Sequence, residues 1–495
     1  MNTNPKHEHG LNAPHADKLY IGGHWVAPSS TETFQVLNCA SEEVVAHVAK
    51  ANKPDIAAAV QAARHAFDHS PWPRMAPAER AAYLEKMAQR FEALNDEFAR
   101  VWTTETGILY KIAKPRIGLF LSGAFRQYAA MASSHPFVEP VRSASGHQAY
   151  RVQEPVGVVA AIVPWNGPAA LMAYKVAPAL LAGCTVIIKC SPEAPCSGHL
   201  FAHICDEVGL PPGVVNMVTA DREASEALVR DPGVDKITFT GSTAAGRRIG
   251  AVAAERVARV TLELGGKSPA VLLDDYDIEA AAQMLGAPYY SYMSGQVCHS
   301  LTRIIVPRRK HDAMVQALSA IAQGMVLGNP MDEAVTMGPL AMARQRDSVE
   351  RMVAQSLAEG ARLATGGRRP AHLDHGFFYE PTVLADVDNR SFAARNEFFG
   401  PVLSVIAADS EQHAIDMAND TIFGLNAVVF THDTERAMHA ARQLRAGSVG
   451  HNASRTDFSI GFGGFKQSGI GREGGADGLA AFLESKVIVL DQAAQ

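Results

Sequence analysis

The stretch 235–255, DKITFTGSTAAGRRIGAVAAE, passes from a short apolar segment directly into a segment of helical character. Gly241, Ser242 and Gly246 stand where the strand turns into the start of the helix. Free backbone N–H groups and the helix dipole at such a start favour a phosphate group. Because the strict GxGxxG pattern is absent, a second interpretation, that the glycines only serve a tight turn, stays open. The stretch indicates an α/β unit with a candidate phosphate-binding turn.

Similar short apolar runs occur on both sides of this stretch, each bounded by Gly or Pro and separated by segments of helix length. Before and within it they are VGVVAAIVP, CTVIIK, VVNMV and DKITFT. A second series begins near Ser268 and contains AVLLD, LTRIIVP, GPVLSVIA and NAVVF. Continuous apolar strands that alternate with helices are typical of parallel, doubly wound sheets. The two series predict two α/β domains in tandem.

Length and composition limit the classes of protein. The chain has 495 residues, of which 47% are hydrophobic, enough for a large core in two to four domains. The 45 basic and 51 acidic residues give a net charge of -6, and no long basic run occurs. Neither nucleic acid nor an anionic membrane surface is therefore expected as a partner. No uninterrupted apolar run reaches the ~18 residues of a membrane span.

The cysteines indicate a reducing compartment. The six cysteines show no paired CxxC spacing, so neither a disulfide framework nor a metal site is expected. Reduced thiols are typical of the cytoplasm, which is the predicted location. The HEH motif at residues 7–9 is interpreted as part of a disordered polar tail rather than as a set of metal ligands.

One cysteine lies at a junction between a helix and a strand, in the stretch 291–303, SYMSGQVCHSLTR. Cys298 follows an apolar helical run and precedes the strand-like LTRIIVP. A cysteine in such a place is commonly a small buried hydrophobe. The alternative is a nucleophile, and only the other motifs of the chain distinguish the two interpretations.

Two further polar residues stand in apolar surroundings. Asn166, in VPWNGPAALMAYK, lies between a strand and a helix, so its side chain is either an N-cap or a donor to an oxyanion. Glu263, in TLELGGKSP, lies inside an apolar strand. Its carboxyl group is either paired, exposed by the alternation of the sheet, or held at a high pKa as a base. The two glycines that follow allow another backbone or a ligand to come close.

Six motifs occur in a fixed order between about Tyr20 and the end of the chain: VPWN, FTGS, ELGGKSP, SGQVC, NEFFGPV and FGGFKQSGIGRE. Together they resemble the aldehyde dehydrogenase superfamily in its NAD(P)-dependent, hydrolytic form. Each motif alone is weak to moderate, but six in this order at compatible spacings are specific. The resemblance favours the nucleophile interpretation of Cys298 over the buried hydrophobe.

The resemblance implies an α/β fold with a Rossmann-like cofactor domain, an α/β catalytic domain and a small bridging sheet for oligomerisation. We assign residues 19–137 and 154–264 to the NAD-binding domain and 265–473 to the catalytic domain. Residues 138–153 and 474–495 would be oligomerisation strands, and 1–18 a disordered tail. The segments HQAYRVQE and SKVIVLD, which have no obvious partner strand in the sequence, would belong to the bridging sheet. A homodimer or homotetramer is expected.

The resemblance also implies roles for individual residues. Cys298 would be the nucleophile, Glu263 the general base, and the Asn166 side chain, with the Cys298 backbone N–H, the oxyanion donor. The residues expected at the cofactor are Trp165, Lys189, Gly241, Ser242, Gly246, Glu397 and Phe399. The residues expected to line a substrate tunnel, none of them ionised at neutral pH, are Ala170, Leu171, Tyr174, Tyr292 and Phe458.

One departure from the family pattern concerns the cofactor. Many members carry a glutamate three residues after the lysine at position 189, where it binds ribose hydroxyls and disfavours a 2′-phosphate. This chain has Pro192 at that position and Glu193 one residue later. NAD is the expected cofactor, with NADP as the alternative.

The expected function is oxidation of an apolar aldehyde, medium-chain, terpenoid or aromatic, to the carboxylic acid. The reaction would pass through a thiohemiacetal and a thioester on Cys298. One alternative is a semialdehyde dehydrogenase, including the CoA-acylating type, whose members usually lack the glutamate found here at position 263. The others are a cysteine esterase and a non-catalytic binding or structural protein of the same fold.

Overall fold

Strands and helices alternate along most of the chain, and the computed structural model describes residues 11–493. The strands are β1 (Leu19–Ile21), β2 (His24–Val26), β3 (Thr33–Leu37), β4 (Val44–Ala49), β5 (Val138–Arg142), β6 (His147–Pro155), β7 (Val158–Ile162), β8 (Thr185–Cys190), β9 (Val215–Thr219), β10 (Lys236–Thr240), β11 (Arg259–Glu263), β12 (Ser268–Leu272), β13 (Leu301–Pro307), β14 (Arg362–Thr365), β15 (Thr382–Ala385), β16 (Val402–Ala408), β17 (Asn426–Phe430), β18 (Ser448–His451), β19 (Gly469–Ile470) and β20 (Leu483–Ala493).

The helices lie between these strands and cover the faces of the sheets. They are α1 (Lys53–His69), α2 (Pro77–Ala93), α3 (Asn95–Thr106), α4 (Tyr110–Ser134), α5 (Pro168–Ala182), α6 (Cys196–Glu207), α7 (Arg222–Arg230), α8 (Thr243–Glu255), α9 (Ile278–Ser291), α10 (His311–Gln323), α11 (Ala343–Ala358), α12 (Phe392–Arg395), α13 (Glu411–Asn419), α14 (Thr434–Gln443) and α15 (Gly475–Ala480). Short 3₁₀ helices span Trp72–Arg74, Met293–Gly295, Arg308–Lys310 and Lys466–Ser468. Among the described residues, no helix combines the length and apolar character needed to cross a membrane.

The first sheet has eight strands in the order β19-β11-β10-β7-β8-β9-β1-β2. Its five central strands, β11 to β9 in that order, are parallel. The chain winds from β7 to β8 and β9 on one side, and then returns to add β10 and β11 on the other. The order therefore reverses between β7 and β10, and ligands of such sheets bind at the carboxyl ends of the strands beside the reversal.

The second sheet has seven strands in the order β14-β15-β16-β13-β12-β17-β18, with all neighbours parallel except the edge pair of β14 and β15. Both sheets are doubly wound, as the two series of apolar runs predicted, and the predicted α/β fold class is confirmed. The motifs along the chain thus fall on two sheets, and the ELGGK segment joins β11 of the first sheet to β12 of the second.

Alternate side chains of the central strands enter cores on opposite faces of the first sheet. Val159 and Ala161 pack with helices α2 to α6, whereas Val158 and Ala160 pack with α1, α7 and α8. Successive residues of a strand point to opposite faces, so a continuous apolar run is needed when both faces are covered. The second sheet has two buried clusters of the same kind.

A separate three-stranded antiparallel sheet, β20-β6-β5, contains the two segments that had no obvious partner in the sequence. They pair with each other, with Glu484 opposite Glu154 and Val489 opposite Ala149. The end of β20 carries a run of exposed apolar side chains, Val487, Ile488, Val489 and Leu490. A run of this kind on a sheet edge is a candidate surface for another subunit.

Two boundaries differ from those expected from the sequence. Residues 11–18 were predicted to be part of a disordered tail, but Leu11, Ala13 and Ala16 pack against the first core and the Ala16 carbonyl accepts the Ala49 N–H at 2.7 Å. The predicted disorder therefore does not extend over residues 11–18, whereas the HEH motif lies outside the described residues. The short strand β19 also departs from its expected domain, because it pairs antiparallel with β11 of the first sheet.

Candidate active site

A cavity of about 500 Å³ opens beside the strand reversal of the first sheet. Residues that follow β7, end β10 and end β11 contribute to its walls, together with the loop before β13. The cavity brings together the three predicted catalytic residues and the five predicted tunnel residues, which are Cys298, Glu263, Asn166, Ala170, Leu171, Tyr174, Tyr292 and Phe458.

The loop that carries Cys298 is held in a tight, irregular conformation. After α9 the backbone passes through left-handed conformations at Met293, Ser294 and Gly295, with φ of 57°, 52° and 75°. The Gln296 side chain then fixes the loop, donating to the Met293 carbonyl at 2.9 Å and accepting the Ala341 N–H at 2.9 Å. Left-handed non-glycine residues are uncommon and persist where their surroundings hold them. The sulfur position is therefore set by buried hydrogen bonds rather than by a regular element.

The Cys298 thiol is held in its protonated form. Burial raises its pKa, and the nearby carboxyl groups of Glu397 and Glu263 raise it further, while the backbone N–H groups of His299 and Cys298 oppose this only in part. A thiol is a weak nucleophile until its proton is removed. The geometry thus requires a group that takes the proton when sulfur reacts.

Asn166 lies directly across from the cysteine loop. Its side-chain Nδ2 donates to the Gln296 carbonyl at 3.0 Å, and its own carbonyl accepts the Trp102 Nε1–H at 2.8 Å. The N-cap interpretation of Asn166 is wrong, because α5 begins at Pro168 after Gly167 and has no side-chain cap. An amide has a second N–H, which remains for an oxyanion in the cavity.

Glu263 ends β11 with its side chain 2% exposed, and neither carboxyl oxygen has a hydrogen-bond partner among the described residues. Burial raises its pKa well above the usual value, and the neighbouring Glu473 adds to this, whereas Lys175 and Arg472 oppose it. Of the interpretations from the sequence, the paired and the exposed carboxylate are both excluded. Burial therefore favours the protonated form of Glu263 and makes its carboxylate a stronger base than usual once the proton is lost.

The two glycines after Glu263 explain how it meets a cysteine 35 residues further along the chain. A Cβ on Gly266 would lie 2.2 Å from the Cys298 carbonyl oxygen, and a Cβ on Gly265 would lie 2.4 Å from Glu397 Oε2. At Gly266 the neighbour is backbone and leaves no room for a side chain, whereas at Gly265 the Glu397 carboxyl group would have to shift. The glycines therefore let the cysteine loop and Glu397 pack directly against the end of β11.

A buried polar cluster behind Glu263 was not predicted. Lys175 is fully buried on α5, pairs with Glu473 and donates to Thr240 Oγ1 at 2.7 Å, while Thr238 Oγ1 donates to Glu473 at 3.2 Å. A buried charge is costly unless it is paired, so this cluster forms one unit. The signal in the sequence was the lysine in the otherwise apolar segment ALMAYKVAPALL.

The turn after β10 forms the start of α8 as predicted from the sequence. The Ser242 side chain accepts the Ala245 N–H at 3.3 Å, and a Cβ on Gly246 would lie 2.3 Å from Leu264. The close packing of Gly246 and the serine cap are structural roles, which are compatible with a phosphate at the same helix start. The first N–H groups of α8 have no intrahelical acceptor and point out of the turn.

Lys189 lies near the end of β8 and is almost fully buried. Burial lowers the pKa of its ammonium group, and Glu193 is the first of the charges that oppose this. Glu193 in turn contacts Ser191 and forms an ion pair with Arg344 at 2.6 Å. Burial raises the pKa of Glu193, but Ser191 and Arg344 outweigh it, so the carboxylate is charged. A fixed carboxylate therefore stands next to Pro192, one residue after the position at which the family pattern has it.

The remaining predicted cofactor residues lie on one side of the junction. Glu397 is buried and its Oε1 accepts the Gly266 N–H at 3.1 Å, while burial raises its pKa to about 7. The Phe399 ring packs edge-on against Trp165 at 5.3 Å between centroids, with Phe399 in a left-handed backbone conformation at φ 53°. These three side chains flank the loop that follows β7.

An aromatic wall leads along the other side of the cavity. The Tyr174 and Phe458 rings stack at 4.4 Å, and Phe458 stacks in turn on Phe462 at 4.4 Å. The sequence did not single out Phe462. It also did not reveal Arg116 of α4, which lines the cavity and lies over the Tyr292 ring at 5.0 Å. No ion pair with Arg116 occurs among residues 11–493.

Fold and cavity together define a class of protein, in which two doubly wound units enclose a thiol at their junction. A sequence model of the Aldehyde dehydrogenase family matches residues 25–488, and the chain belongs to this family. It is 41% identical over 473 residues to the geranial dehydrogenase of Castellaniella defragrans, an alignment that covers 95% of this chain and 98% of the relative. The predicted family is thereby confirmed, and the protein is an enzyme that oxidises aldehydes.

Two solved structures are similar over almost their whole length. An aldehyde dehydrogenase of Mycobacterium tuberculosis in complex with NAD+ is 42% identical, with a TM-score of 0.94 and 97% and 99% of the two chains covered. A mutant of aldehyde dehydrogenase C from Pseudomonas syringae in complex with NAD+ and octanal is 38% identical, with a TM-score of 0.92 and 97% and 98% covered.

Proposed function

We propose that the protein oxidises an apolar aldehyde, medium-chain, terpenoid or aromatic, to its carboxylic acid with NAD as the oxidant. The observation that carries the substrate class is the aromatic wall of Tyr174, Phe458 and Phe462 along the cavity that contains Cys298. Two similar proteins support the same substrate class. One is a geranial dehydrogenase, and the other is an aldehyde dehydrogenase whose structure contains octanal.

The charges around the cavity also support an apolar substrate. Among the described residues that line it, Glu263 is the only acidic one, and burial raises its pKa and so disfavours its charged form. A trimethylammonium or amino group would have no carboxylate to bind. Ala170 and Leu171 leave apolar surface beside Asn166, and each buried CH₂ contributes up to about 0.8 kcal/mol.

The residues on the other side of the junction fit NAD. The turn at Gly241 and Ser242 presents the start of a thirteen-residue helix for the pyrophosphate. The buried Glu397 has one oxygen bonded to Gly266 and a second that remains for a ribose hydroxyl, and Lys189 and Glu193 lie at the end of the neighbouring strand. Two similar structures contain NAD+. We propose NAD as the preferred cofactor, with NADP as the poorer one.

The side chains of the cavity account for the reaction as follows. Cys298 sulfur adds to the aldehyde carbonyl, and the oxyanion accepts N–H groups from the Asn166 side chain and the Cys298 backbone. When bound, NAD accepts the hydride that leaves the substrate carbon, so that a thioester remains on Cys298. Glu263 then takes a proton from the water that attacks the thioester, and the acid leaves. This assignment of roles is part of the proposal.

A panel of aldehydes tests the substrate class. Following NADH formation should give a kcat/KM that rises from acetaldehyde to hexanal, with citral and benzaldehyde accepted and betaine aldehyde poor. Each added methylene is worth at most a few-fold. A tenfold advantage of betaine aldehyde or of a semialdehyde acid over the apolar set would refute the proposed class.

One specific observation favours a second candidate, a semialdehyde that carries a carboxylate at its far end. Arg116 lines the cavity, lies over the Tyr292 ring and has no ion-pair partner among residues 11–493, although the five tunnel residues named from the sequence are uncharged. The expectation of a tunnel without an ionised residue is therefore corrected at this position. Succinic semialdehyde belongs in the same panel, and its preference over hexanal would favour the second candidate.

We further propose that the protein is a homodimer or homotetramer that uses the sheet of β5, β6 and β20 as its interface. The support is the run of exposed apolar side chains from Val487 to Leu490. Truncation before Val487 should lower the oligomer mass measured by light scattering while the circular dichroism spectrum is retained. An unchanged mass would exclude this interface.

We also propose a division into a cofactor domain and a catalytic domain, and a reducing compartment for the protein. The two doubly wound sheets support a cofactor domain and a catalytic domain with the bounds given from the sequence, except that β19 joins the cofactor sheet. All six cysteines are free thiols, which supports a reducing compartment such as the cytoplasm.

A further inference from the structure

The residue that follows the nucleophile is a histidine, and its ring lies against the reacting sulfur. His299 Nδ1 is 3.9 Å from Cys298 Sγ, within the range of a hydrogen bond to sulfur. The ring lines the cavity and packs edge-on against Phe462 at 5.9 Å between centroids. Its backbone carbonyl accepts Asn426 Nδ2–H at 2.9 Å. The ring thus contacts both the thiol and Phe462, and the Asn426 side chain fixes the backbone of the same residue.

The thiol is the only hydrogen-bond partner of the His299 ring within the described chain. The ring is half-buried, and its one hydrogen-bond partner is the reacting group, which makes it a candidate for a role toward that group. Glu263 also lines the cavity, but in the proposed reaction it takes its proton from water during hydrolysis of the thioester. Because the thiol is protonated beside the carboxyl groups of Glu263 and Glu397, another group has to take its proton when sulfur reacts.

The ionisation state of the ring is compatible with proton acceptance only as sulfur attacks, because a lowered pKa makes the imidazole a weak base. Burial lowers the pKa of His299 to about 4, so its imidazole is neutral at physiological pH and carries one unprotonated nitrogen. Burial and the carboxyl groups of Glu397 and Glu263 keep the proton on Cys298 at the same pH. A neutral imidazole next to a thiol is an arrangement in which the proton moves as sulfur attacks.

We propose that His299 is a catalytic residue that accepts the thiol proton through Nδ1 while Cys298 sulfur bonds to the aldehyde carbon. In this step the S–H bond breaks, the N–H and C–S bonds form, and the carbonyl electron pair moves to oxygen. Because proton transfer accompanies C–S bond formation, no free thiolate is required. When water later displaces sulfur from the thioester, the imidazolium returns its proton to the departing thiolate. The inference rests on the proposed role of Cys298 as the nucleophile, but not on the identity of the aldehyde.

Alkylation of the enzyme by iodoacetamide, without aldehyde or cofactor, tests the proposal. The other five cysteines are fully buried, so loss of activity reports on Cys298. His299→Ala should lower the alkylation rate at pH 7 by about tenfold or more, with convergence toward the wild-type rate at high pH. 4-Methylimidazole in the buffer should restore part of the rate. An alkylation rate and pH profile equal to those of the wild type would overturn the proposal.

A second variant separates proton acceptance from positioning. His299→Asn keeps a hydrogen-bonding group near Nδ1 but no basic nitrogen, so it should be as slow as His299→Ala. Full reactivity of the Asn variant would overturn the proposal, since it would show that the ring only positions the sulfur. Asparagine also preserves the polar character of the site, and its melting temperature checks that the variant folds.

The matched control is His199→Asn. His199 lies on α6, away from the cavity, and packs against Trp25. Burial lowers its pKa to about 4, as for His299. This variant should alkylate at the wild-type rate. The titratable groups that face Cys298, which are Glu263, Glu397 and Tyr292, are unchanged in all three variants. Differences between the pH profiles therefore report on His299 alone.

The alkylation assay also distinguishes the two proposals from each other. If the aldehyde panel contradicts the apolar substrate, thiol reactivity still tests His299. If Cys298 is not alkylated in the wild type at any pH up to 9, the nucleophile assignment itself fails and the histidine proposal fails with it. The pre-steady-state burst of NADH, measured with hexanal, should slow in His299→Ala by the same factor as alkylation.

Discussion

The two sides of Cys298 are built in different ways. On the cofactor side, groups come close because glycines allow it, with Gly266 against the Cys298 carbonyl and Gly265 against Glu397. On the aldehyde side, the wall consists of large side chains such as Tyr174 and Phe458, which come from separate elements. One side therefore depends on the path of the backbone and the other on the shapes of side chains. Changes on the first should affect all substrates alike, and changes on the second should affect them selectively.

Removal of the sulfur should have the largest effect and should leave the cofactor side intact. Cys298→Ser is expected to reduce aldehyde oxidation and ester hydrolysis by at least about a thousandfold, since a hydroxyl is a far weaker nucleophile here. NAD binding, followed by quenching of protein fluorescence, should change by less than about twofold. Parallel loss of NAD binding would show that the two sides are not independent.

Glu263→Gln should separate the two halves of the reaction. We expect a burst of about one NADH per active site and then a steady rate lower by about a hundredfold or more, because acylation proceeds and hydrolysis does not. In the wild type the pKa of Glu263 is raised by burial, so its carboxyl stays protonated to higher pH than usual. The steady rate should therefore rise with pH through that pKa and fall below it. Equal loss of burst and steady rate would assign Glu263 to the first half as well.

Arg116→Gln should act only on the aldehyde side and only on charged substrates. Removing the cation is expected to raise kcat/KM for betaine aldehyde by about fivefold, since like charges about 8 Å apart near the surface repel by on the order of 1 kcal/mol. Succinic semialdehyde should lose a similar factor, and hexanal should be unaffected. The control is Arg126→Gln on the same helix, where the guanidinium pairs with Glu92 at 2.8 Å. Identical effects of both variants would place Arg116 outside the path of the substrate.

Glu193→Gln should have the smallest effect and should appear only in the choice of cofactor. Loss of the carboxylate beside Lys189 is expected to raise the NADP to NAD ratio of kcat/KM by about threefold, because a 2′-phosphate would meet one negative charge fewer. Pro192→Glu should lower the same ratio, and Pro192→Ala is the matched control without a charge. If neither charge change moves the ratio, this strand end is not near the 2′-hydroxyl.

The cofactor side could be anticipated from the sequence because its signals are local. Gly241 and Ser242 follow a strand and precede a helix, and Gly265 and Gly266 follow an acid in an apolar strand, so a short stretch carries the information. The strands of both sheets could be predicted for the same reason, since a buried parallel strand appears in the sequence as an unbroken apolar run.

The aldehyde side could be anticipated only in part. Arg116 stands in the helical segment YKIAKPRIGLF, where nothing marks it as different from the lysines around it, and only the packing of α4 brings it over Tyr292. Phe462 likewise reaches the cavity, and Glu473 the buried cluster behind Glu263, through loops whose course depends on long-range contacts. The two interpretations of Asn166 could not be separated from the local sequence for a related reason, because the Gln296 carbonyl that its side chain contacts lies 130 residues away in the chain.

The strand β19 limits where the chain can be divided into fragments that fold separately. Gly469 and Ile470 pair with the end of β11, the Leu264 N–H donates to the Ser468 carbonyl at 2.9 Å, and Ser468 Oγ donates to the Gly265 carbonyl at 2.6 Å. A late segment of the chain thus completes the edge of the sheet that carries Glu263. Cutting the gene after codon 264 would yield two fragments that are each incomplete. A chimaera that exchanges the first half between relatives would have to carry residues 468–470 with it. The two sheets are therefore not independent modules that can be exchanged at a single cut in the chain.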